Sequence, residues 1–473
     1  MSDGPRGHRS RPVQWRPDRR ATDPARLAAY DILRAVDTEG AYANLVAQRV
    51  IADAGLHGRD AAFTTTLAYG ALRWRGFLDS VLEACSARPL GEVDPGLLDV
   101  LRLGALQILF LRTPPHAAVG ETVQLARLVG GEARSKFANA VLRRVGERDL
   151  DSWVELVAPD PAADPVGHLA VAQSHPRWVV DALHDALSSW TGSPSWAETE
   201  DLLAADNEPG GVTLVARPGR SDVDDLLALP GSAPGRWSPY AVTLDSGNPG
   251  DLREVRSGDA GVQDEGSQLV ALALSRVPVD GPDTAWLDMA AGPGGKAALL
   301  AGLGLERGAS LLAVDRAPHR VGLVAQALRG APGHHLAVAA DGTHGPWRPG
   351  SFDRVLLDAP CTGLGVLRRR PESRWRRSPA DVADLAGLQH RLLAAAIDAV
   401  RVGGVVGYVT CSPHVAETDV VVDAALRRGG VEQLDARPLL PEVDHLGAGP
   451  SLRLWPHVHG TDGMFIAVLR RTS

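Results

Sequence analysis

Residues 284–296 read Thr284-Ala285-Trp286-Leu287-Asp288-Met289-Ala290-Ala291-Gly292-Pro293-Gly294-Gly295-Lys296, and this stretch decides the fold. Trp286–Met289 is an apolar strand that runs into a turn of small residues, and Ala297–Ala301 continues as a helix. Small residues at a strand-to-helix turn let a ligand approach the backbone, and the helix N-terminus offers free N–H groups. Outward from this turn, apolar runs recur at Ser310–Val314, Leu336–Ala340, Arg354–Leu357, Val405–Thr410 and Phe465–Leu469, separated mostly by helical stretches. That alternation predicts a mostly parallel, doubly wound sheet.

The next two strands end in acids. Asp315 is placed to hydrogen-bond ribose hydroxyls, and Asp341 to contact an adenine edge. Gly292, Gly294 and Gly295 alone would fit a tight turn with no ligand. A turn followed by acids closing two further strands is a stronger sign of a nucleoside-bearing cofactor, because all three meet at one carboxyl edge. No Gly-Lys-Ser/Thr is present, which disfavours a phosphate loop; a nicotinamide dinucleotide stays open on this stretch alone. Lys296 and Lys136 are the two lysines among 49 basic residues, so a compact ammonium is placed at this turn in a chain that otherwise uses arginine.

The fourth strand ends in Leu357-Asp358-Ala359-Pro360-Cys361-Thr362-Gly363 and the fifth in Tyr408-Val409-Thr410-Cys411-Ser412-Pro413. In a doubly wound sheet these strands are commonly neighbours beside the first, so two of the chain's three cysteines are expected at the cofactor edge. A lone cysteine is more often a small buried apolar residue, but a pair at neighbouring strand ends points to chemistry. Carbon 5 of cytosine is too weak a nucleophile to take a methyl group directly. A thiolate added at carbon 6 makes carbon 5 reactive, and Asp358 fits a hydrogen bond to the ring edge near N3. A free thiol titrates at about 8.5, so Cys411 needs cationic neighbours or the field of the site.

Farther out, residues 25–145 carry helical periodicity punctuated by prolines, Pro159, Pro161 and Pro165 mark a linker, 168–204 are helical again, and short β-like pieces follow from Asn207 to Arg256. The expected division is a disordered basic arm over 1–22, an all-helical domain over 23–150, a linker with a small α+β subdomain over 151–260, and the doubly wound domain over 261–473. Apolar content of 44% with 22% charged residues is that of a globular chain. The longest apolar stretch, near Leu97–Leu111, contains Arg102 and is too short to span a bilayer. Three scattered cysteines with no Cys-x-x-Cys pair argue for a cytoplasmic protein with neither a disulfide framework nor a structural zinc site.

Net charge is −8, but arginines cluster in residues 1–20 and again at Arg368, Arg369, Arg370, Arg374, Arg376 and Arg377. Local patches set attraction to phosphates. The second cluster, with Trp375, is therefore expected to clamp an unstacked base and its flanking phosphates.

At these motifs the chain resembles the NOL1/NOP2/Sun family of RNA 5-methylcytosine methyltransferases, in its bacterial RsmB-like branch, over roughly residues 260–471. The likeness rests on Val262-Gln263-Asp264-Glu265-Gly266-Ser267-Gln268, on Asp358-Ala359-Pro360-Cys361 and Thr410-Cys411-Ser412-Pro413, and on Leu452 through Phe465. His116 to Thr122 and Phe137 to Arg143 resemble a NusB-like RNA-binding domain. The resemblance implies a Rossmann-like class I methyltransferase domain behind an all-α NusB-like domain, with S-adenosylmethionine as cofactor. It implies RNA, 16S rRNA first and tRNA as the alternative, as substrate for a cytoplasmic monomer without metal.

It further implies that Cys411 attacks and Cys361 assists release, and that Ala290, Ala291, Gly292, Pro293, Gly294, Gly295, Lys296, Asp315, Asp341 and Asp358 line the cofactor pocket. Two departures stand out. The family's cysteine at the head of the cofactor turn is Ala290 here, and Val212–Ala216 lacks the polar residues of the family's RNA-contacting subdomain. A rival reading is a non-catalytic RNA-binding protein. Methylation of an exocyclic nitrogen is disfavoured, because Ala359-Pro360-Cys361 stands where such enzymes carry Pro-Pro-Tyr.

Overall fold

The computed structural model describes residues 22–111, 113–193 and 195–473. The basic arm expected over 1–22 lies outside these except for Thr22. The chain divides into two compact units, residues 1–158 and 159–473.

The first unit is helical. Helices Pro24–Glu39, Ala43–Asp53, Gly58–Arg73, Arg75–Cys85, Pro95–Leu109, Pro115–Val145 and Leu150–Val157 follow one another. Proline opens three of them, where its fixed φ is already helical and its missing N–H costs nothing. Asp23 and Asp94 cap two of those starts by accepting the N–H groups of Arg26 and Leu97. The long helix breaks at Gly130–Gly131, where Gly131 has φ of 79°. At the centre, buried Asp99 accepts from Arg34 and Arg102, and Arg102 in turn holds Asp79 through two bonds of 2.7 and 2.8 Å.

The second unit opens with helices Pro165–Ala172, Arg177–Thr191 and Trp196–Asn207. Their buried faces pack with Leu364, Leu367 and Trp455, so these helices share a core with loops of the large sheet described below. A small antiparallel sheet follows, with strands β1 (Val212–Ala216), β2 (Ser232–Pro234), β3 (Ala241–Leu244) and β4 (Ala260–Val262) in the order β2-β3-β1-β4.

The large sheet contains β5 (Ala285–Asp288), β6 (Ser310–Asp315), β7 (His334–Ala339), β8 (Phe352–Asp358), β9 (Val400–Thr410), β10 (Val431–Leu434), β11 (Leu452–Leu454) and β12 (Met464–Arg471). Its order is β10-β12-β9-β8-β5-β6-β7, with β11 also on β12. From β7 to β9 every pairing is parallel, and β12 joins β9 antiparallel. Burial of both faces explains the apolar runs Val355–Leu357 in β8 and Val405–Val409 in β9. One hydrophobic cluster, from Val215 to Val468, includes residues of the helix Glu265–Arg276. A second, from Leu287 to Leu469, includes the helix Pro379–Ala399. Short β10 and β11 escape a reading based on long apolar runs.

The edge where the parallel strands begin is tied by ions. Asp353 accepts the N–H groups of Thr284 and Ala285 at 2.8 Å each, and Arg401 Nε at 2.6 Å. Arg354, 2% exposed, reaches across β5 to grip Asp283 with two bonds of 2.7 Å and donates to the carbonyls of Leu274 and Val277. Every donor arm of this buried guanidinium is used, which is the condition under which such a group is tolerated. Among the described residues no helix is long and apolar enough to cross a membrane.

Arg354→Ala should lower stability by about 3–5 kcal/mol, since it leaves the buried Leu274 and Val277 carbonyls without their partner and Asp283 with only Arg307 and Trp286. The shift in the urea midpoint of the tryptophan fluorescence transition measures this, and a midpoint within error of the wild type would refute it.

Candidate active site

Three neighbouring strands place the site. β8 lies between β5 and β9, with Asp288 of β5 level with Leu356, and Asp358 of β8 level with Val409. Their carboxyl ends therefore deliver the turn Ala290–Lys296, Asp358 and Cys411 to one edge. The turn is pinned by Ala291 N–H donating to Val314 O at 2.7 Å and Gly292 N–H donating to Asp315 Oδ2 at 3.1 Å. A Cβ on Gly292 would sit 2.3 Å from that carboxylate oxygen, so any larger residue there must displace Asp315. Gly294, with φ of 112°, precedes the helix Gly295–Leu303.

Lys296 Nζ donates to Asp358 Oδ2 at 2.8 Å and so links the turn to the end of β8. Burial works against the ammonium, but Asp358, then Cys411 and Asp288, attract it more strongly, and its pKa is raised. The Sγ atoms of Cys361 and Cys411 are 3.3 Å apart, and both residues are partly exposed. The remaining cysteine, Cys85, is buried in the helical unit, where burial pushes its thiol to about 11.

A cleft opens beside this group. It is lined by Asp288, Ala290–Pro293, Gly295, Lys296 and Asp358 on one side, and by Thr213, Val262, Gln263, Asp264, Ser267, Arg369 and Asp462 on the other. Asp288 went unnoticed in the sequence, although an acid ending a buried apolar strand is itself a signal. It is 1% exposed, and neither carboxylate oxygen has a hydrogen-bond partner. Burial first, then the neighbouring Asp358, raises its pKa to about 7, against the pull of Lys296. Asp462 is likewise raised to about 7 by burial and by Asp264.

Asp315 ends β6 and accepts from the N–H groups of Gly292 and Ala317; Asp341 lies beyond β7, largely exposed, and accepts from Thr343. Both stand at the same sheet edge as the turn.

The fold disperses the arginine cluster. Arg374 is fully buried and donates to Ser174 O, Asn207 Oδ1 and Asp206 O, so it holds the helices before β1 and does not face a phosphate. Arg369 is held by Asp264 and Asp462 at 2.7 and 2.9 Å and forms part of the cleft wall. Arg368 donates to the carbonyls of Gly460 and Thr461. Arg377 lies 3.6 Å from Asp381, Trp375 and Arg376 are partly buried, and Arg370 is exposed. A run of like charges in sequence is thus distributed here between interior and surface.

Residues 277–470 match the model of the 16S rRNA methyltransferase RsmB/F family and residues 23–147 that of the NusB family. The chain is 55% identical to the Mycobacterium tuberculosis methyltransferase Rv1407, over 97% of this chain and 98% of that one. It is 31% identical to the Bacillus subtilis ribosomal RNA small subunit methyltransferase B, over 94% and 98%. The chain belongs to the RsmB family of RNA methyltransferases.

Among solved structures, PH0851 superposes with a TM-score of 0.77 at 21% identity, covering 95% of this chain and 99% of that one, which shows a shared fold. A methyltransferase homologue from Pyrococcus horikoshii matches with a TM-score of 0.52 at 25% identity, covering 66% of this chain and all of that one.

S-adenosylmethionine is the methyl donor of this family member, and the cleft fits it. Four carboxylates, Asp288, Asp358, Asp264 and Asp462, face two cations, Lys296 and Arg369. With both oxygens of Asp288 unpartnered, this wall suits a positively charged sulfonium ligand and repels the pyrophosphate of a dinucleotide. The turn Ala290–Lys296 with Asp315, Asp341 and Asp358 would hold it.

The Asp288 carboxyl generates a pH dependence of known sign. Its folded pKa of about 7 lies above the ordinary carboxyl value of 3.8. Between these values the folded protein holds a proton that the unfolded chain has lost. This contribution to stability is present at low pH and is lost as pH rises through about 7. Asp288→Asn should remove that fall, so its urea midpoint should exceed that of the wild type more at pH 8 than at pH 5. An equal difference at both pH values would refute the assignment.

Proposed function

We propose that this protein methylates carbon 5 of a cytosine in 16S rRNA, with Cys411 as the covalent nucleophile. The observation that carries the reading is the 3.3 Å contact between two strand-end thiols beside the Lys296–Asp358 pair. Methyl transfer to an oxygen or an amine needs no thiol, whereas carbon 5 must be activated first.

Bound S-adenosylmethionine supplies an electrophilic methyl group on a sulfonium. The Cys411 thiolate donates its electron pair to carbon 6, the ring electrons shift so that carbon 5 becomes nucleophilic, and N3, which gains electron density, takes up a proton from water; Asp358 at the ring edge then accepts the N3–H. Lys296 attracts the Cys411 sulfur electrostatically, the cationic environment that a nucleophilic thiol requires. After methylation the ring must lose its carbon 5 proton. That proton passes to water, the electrons of its C–H bond restore the double bond, the carbon 6–sulfur bond breaks, N3 gives back its proton, and Cys411 leaves as a thiolate. Cys361, touching Cys411, is placed to assist this release.

The target base must be flipped out of any stack to reach an edge of this kind, and the helical domain over residues 23–150 is proposed to hold the surrounding RNA.

Cys411→Ala should abolish transfer of labelled methyl from S-adenosylmethionine to 16S rRNA. Cys361→Ala should instead trap a protein–RNA adduct that survives a denaturing gel, because methylation proceeds and release stalls. Normal turnover by Cys361→Ala with no adduct would overturn its role. Bisulfite mapping of rRNA and tRNA from a deletion strain locates the missing 5-methylcytosine, and a loss confined to tRNA would overturn the substrate.

A further inference from the structure

Behind the two cysteines lies a carboxylate with no exposure at all, that of Glu417. One oxygen accepts the Thr362 backbone N–H at 2.8 Å and Gln389 Nε2 at 3.2 Å. The other accepts Thr362 Oγ1 at 2.5 Å and Ser412 Oγ at 2.6 Å. Thr362 follows Cys361 and Ser412 follows Cys411, so one side chain binds the residue next to each thiol. The two hydroxyls also meet each other at 3.0 Å, and Gln389 additionally holds Pro360 O at 2.8 Å. Tyr408, three residues before Cys411, donates its hydroxyl to the Glu417 carbonyl at 2.7 Å. Four donors converging on one side chain is the pattern of an ionised carboxylate.

We propose that Glu417 is the positioning residue that assigns the two thiols different roles. Through Thr362 and Ser412 it fixes the sulfurs in contact, and its buried charge makes Cys361 the thiol that keeps its proton and donates it toward Cys411. The inference rests on the reading of Cys411 as nucleophile. Two chemically identical thiols in contact need some asymmetry if one is to attack and the other to stay protonated, and a fixed anion on one side provides it.

The other charged and titratable groups around the pair are consistent with this. On the cleft side, Lys296 and Asp358 form an ion pair. On the far side, burial holds the Tyr408 phenol protonated, and burial lowers the pKa of His414 against the pull of Glu417 and Asp185. Cys361 itself is pushed well above the ordinary thiol range by its hydrogen bond with Cys411, by burial, and by the charges of Cys411, Glu417 and Asp358.

The test is competitive alkylation of the full-length protein by iodoacetamide between about pH 7 and 9, read by mass spectrometry at each cysteine, with buried Cys85 as the slow reference. Cys411 should react about tenfold or more faster than Cys361 in the wild type, because only the thiolate alkylates. In Glu417→Gln the two rates should converge to within about threefold, with the Cys361 rate rising at lower pH than in the wild type. Glu417→Asp keeps the charge and should keep the preference for Cys411, even as the shorter reach lowers methyl transfer.

Equal wild-type rates, or an undiminished preference in Glu417→Gln, would overturn the proposal. If Glu417→Gln does not fold, the wild-type ratio and the Glu417→Asp ratio still decide. The alkylation pattern is independent of RNA. A normal pattern with no methylated RNA would sink the reaction while leaving the thiol assignment standing, and methylation requiring Cys361 but not Cys411 would reverse both.

Discussion

The ion pair between Lys296 and Asp358 is the constraint on which the site depends. Neither residue is adjacent to a cysteine in the folded sheet by accident of sequence. Lys296 opens the helix after β5, Asp358 ends β8, and parallel pairing of β5 with β8 and of β8 with β9 brings both beside Cys411. At 2.8 Å and largely buried, the pair holds the cofactor turn at a set distance from the thiols, and each charge offsets the desolvation of the other. Its partners extend the link, since Lys296 also feels Cys411 and Asp288, and Asp358 raises the pKa of Asp288. Charge at any one of these positions is therefore felt at the others.

Much of this architecture was legible because it is written in long-range repetition. Alternating apolar strands and helices from Ala285 onward specify a doubly wound sheet, and placing β8 between β5 and β9 follows from the usual connectivity of such sheets. What escaped detection is short or local. β10 and β11 have four and three residues, too few to show a period. The helices from Pro165 to Asn207 were recognised as helices, but nothing in their spacing shows that they pack on Leu364, Leu367 and Trp455, because that contact spans some two hundred residues of chain.

The site divides in the same way. Residues announced by a strand end beside a turn, such as Lys296, Asp358, Cys361 and Cys411, come together in space. Residues whose role depends on burial do not announce themselves. Arg374 and Arg370 look alike in a run of arginines, yet one is fully buried among carbonyls and the other is exposed. Asp288 and Glu417 are ordinary acids in sequence, and only three dimensions show that one has no partner while the other has four donors. Composition reports charge; desolvation decides what the charge can do.

The use of arginine almost everywhere else has a practical side. Of the chain's two lysines, Lys296 is folded into the cleft and paired with Asp358, while Lys136 stands exposed on the helical unit. Amine-directed reagents thus meet a single accessible lysine side chain among the described residues. A dye, a biotin or a solid support coupled there is anchored through the helical unit at one defined atom, and the chemistry at the sheet edge is left untouched by the label.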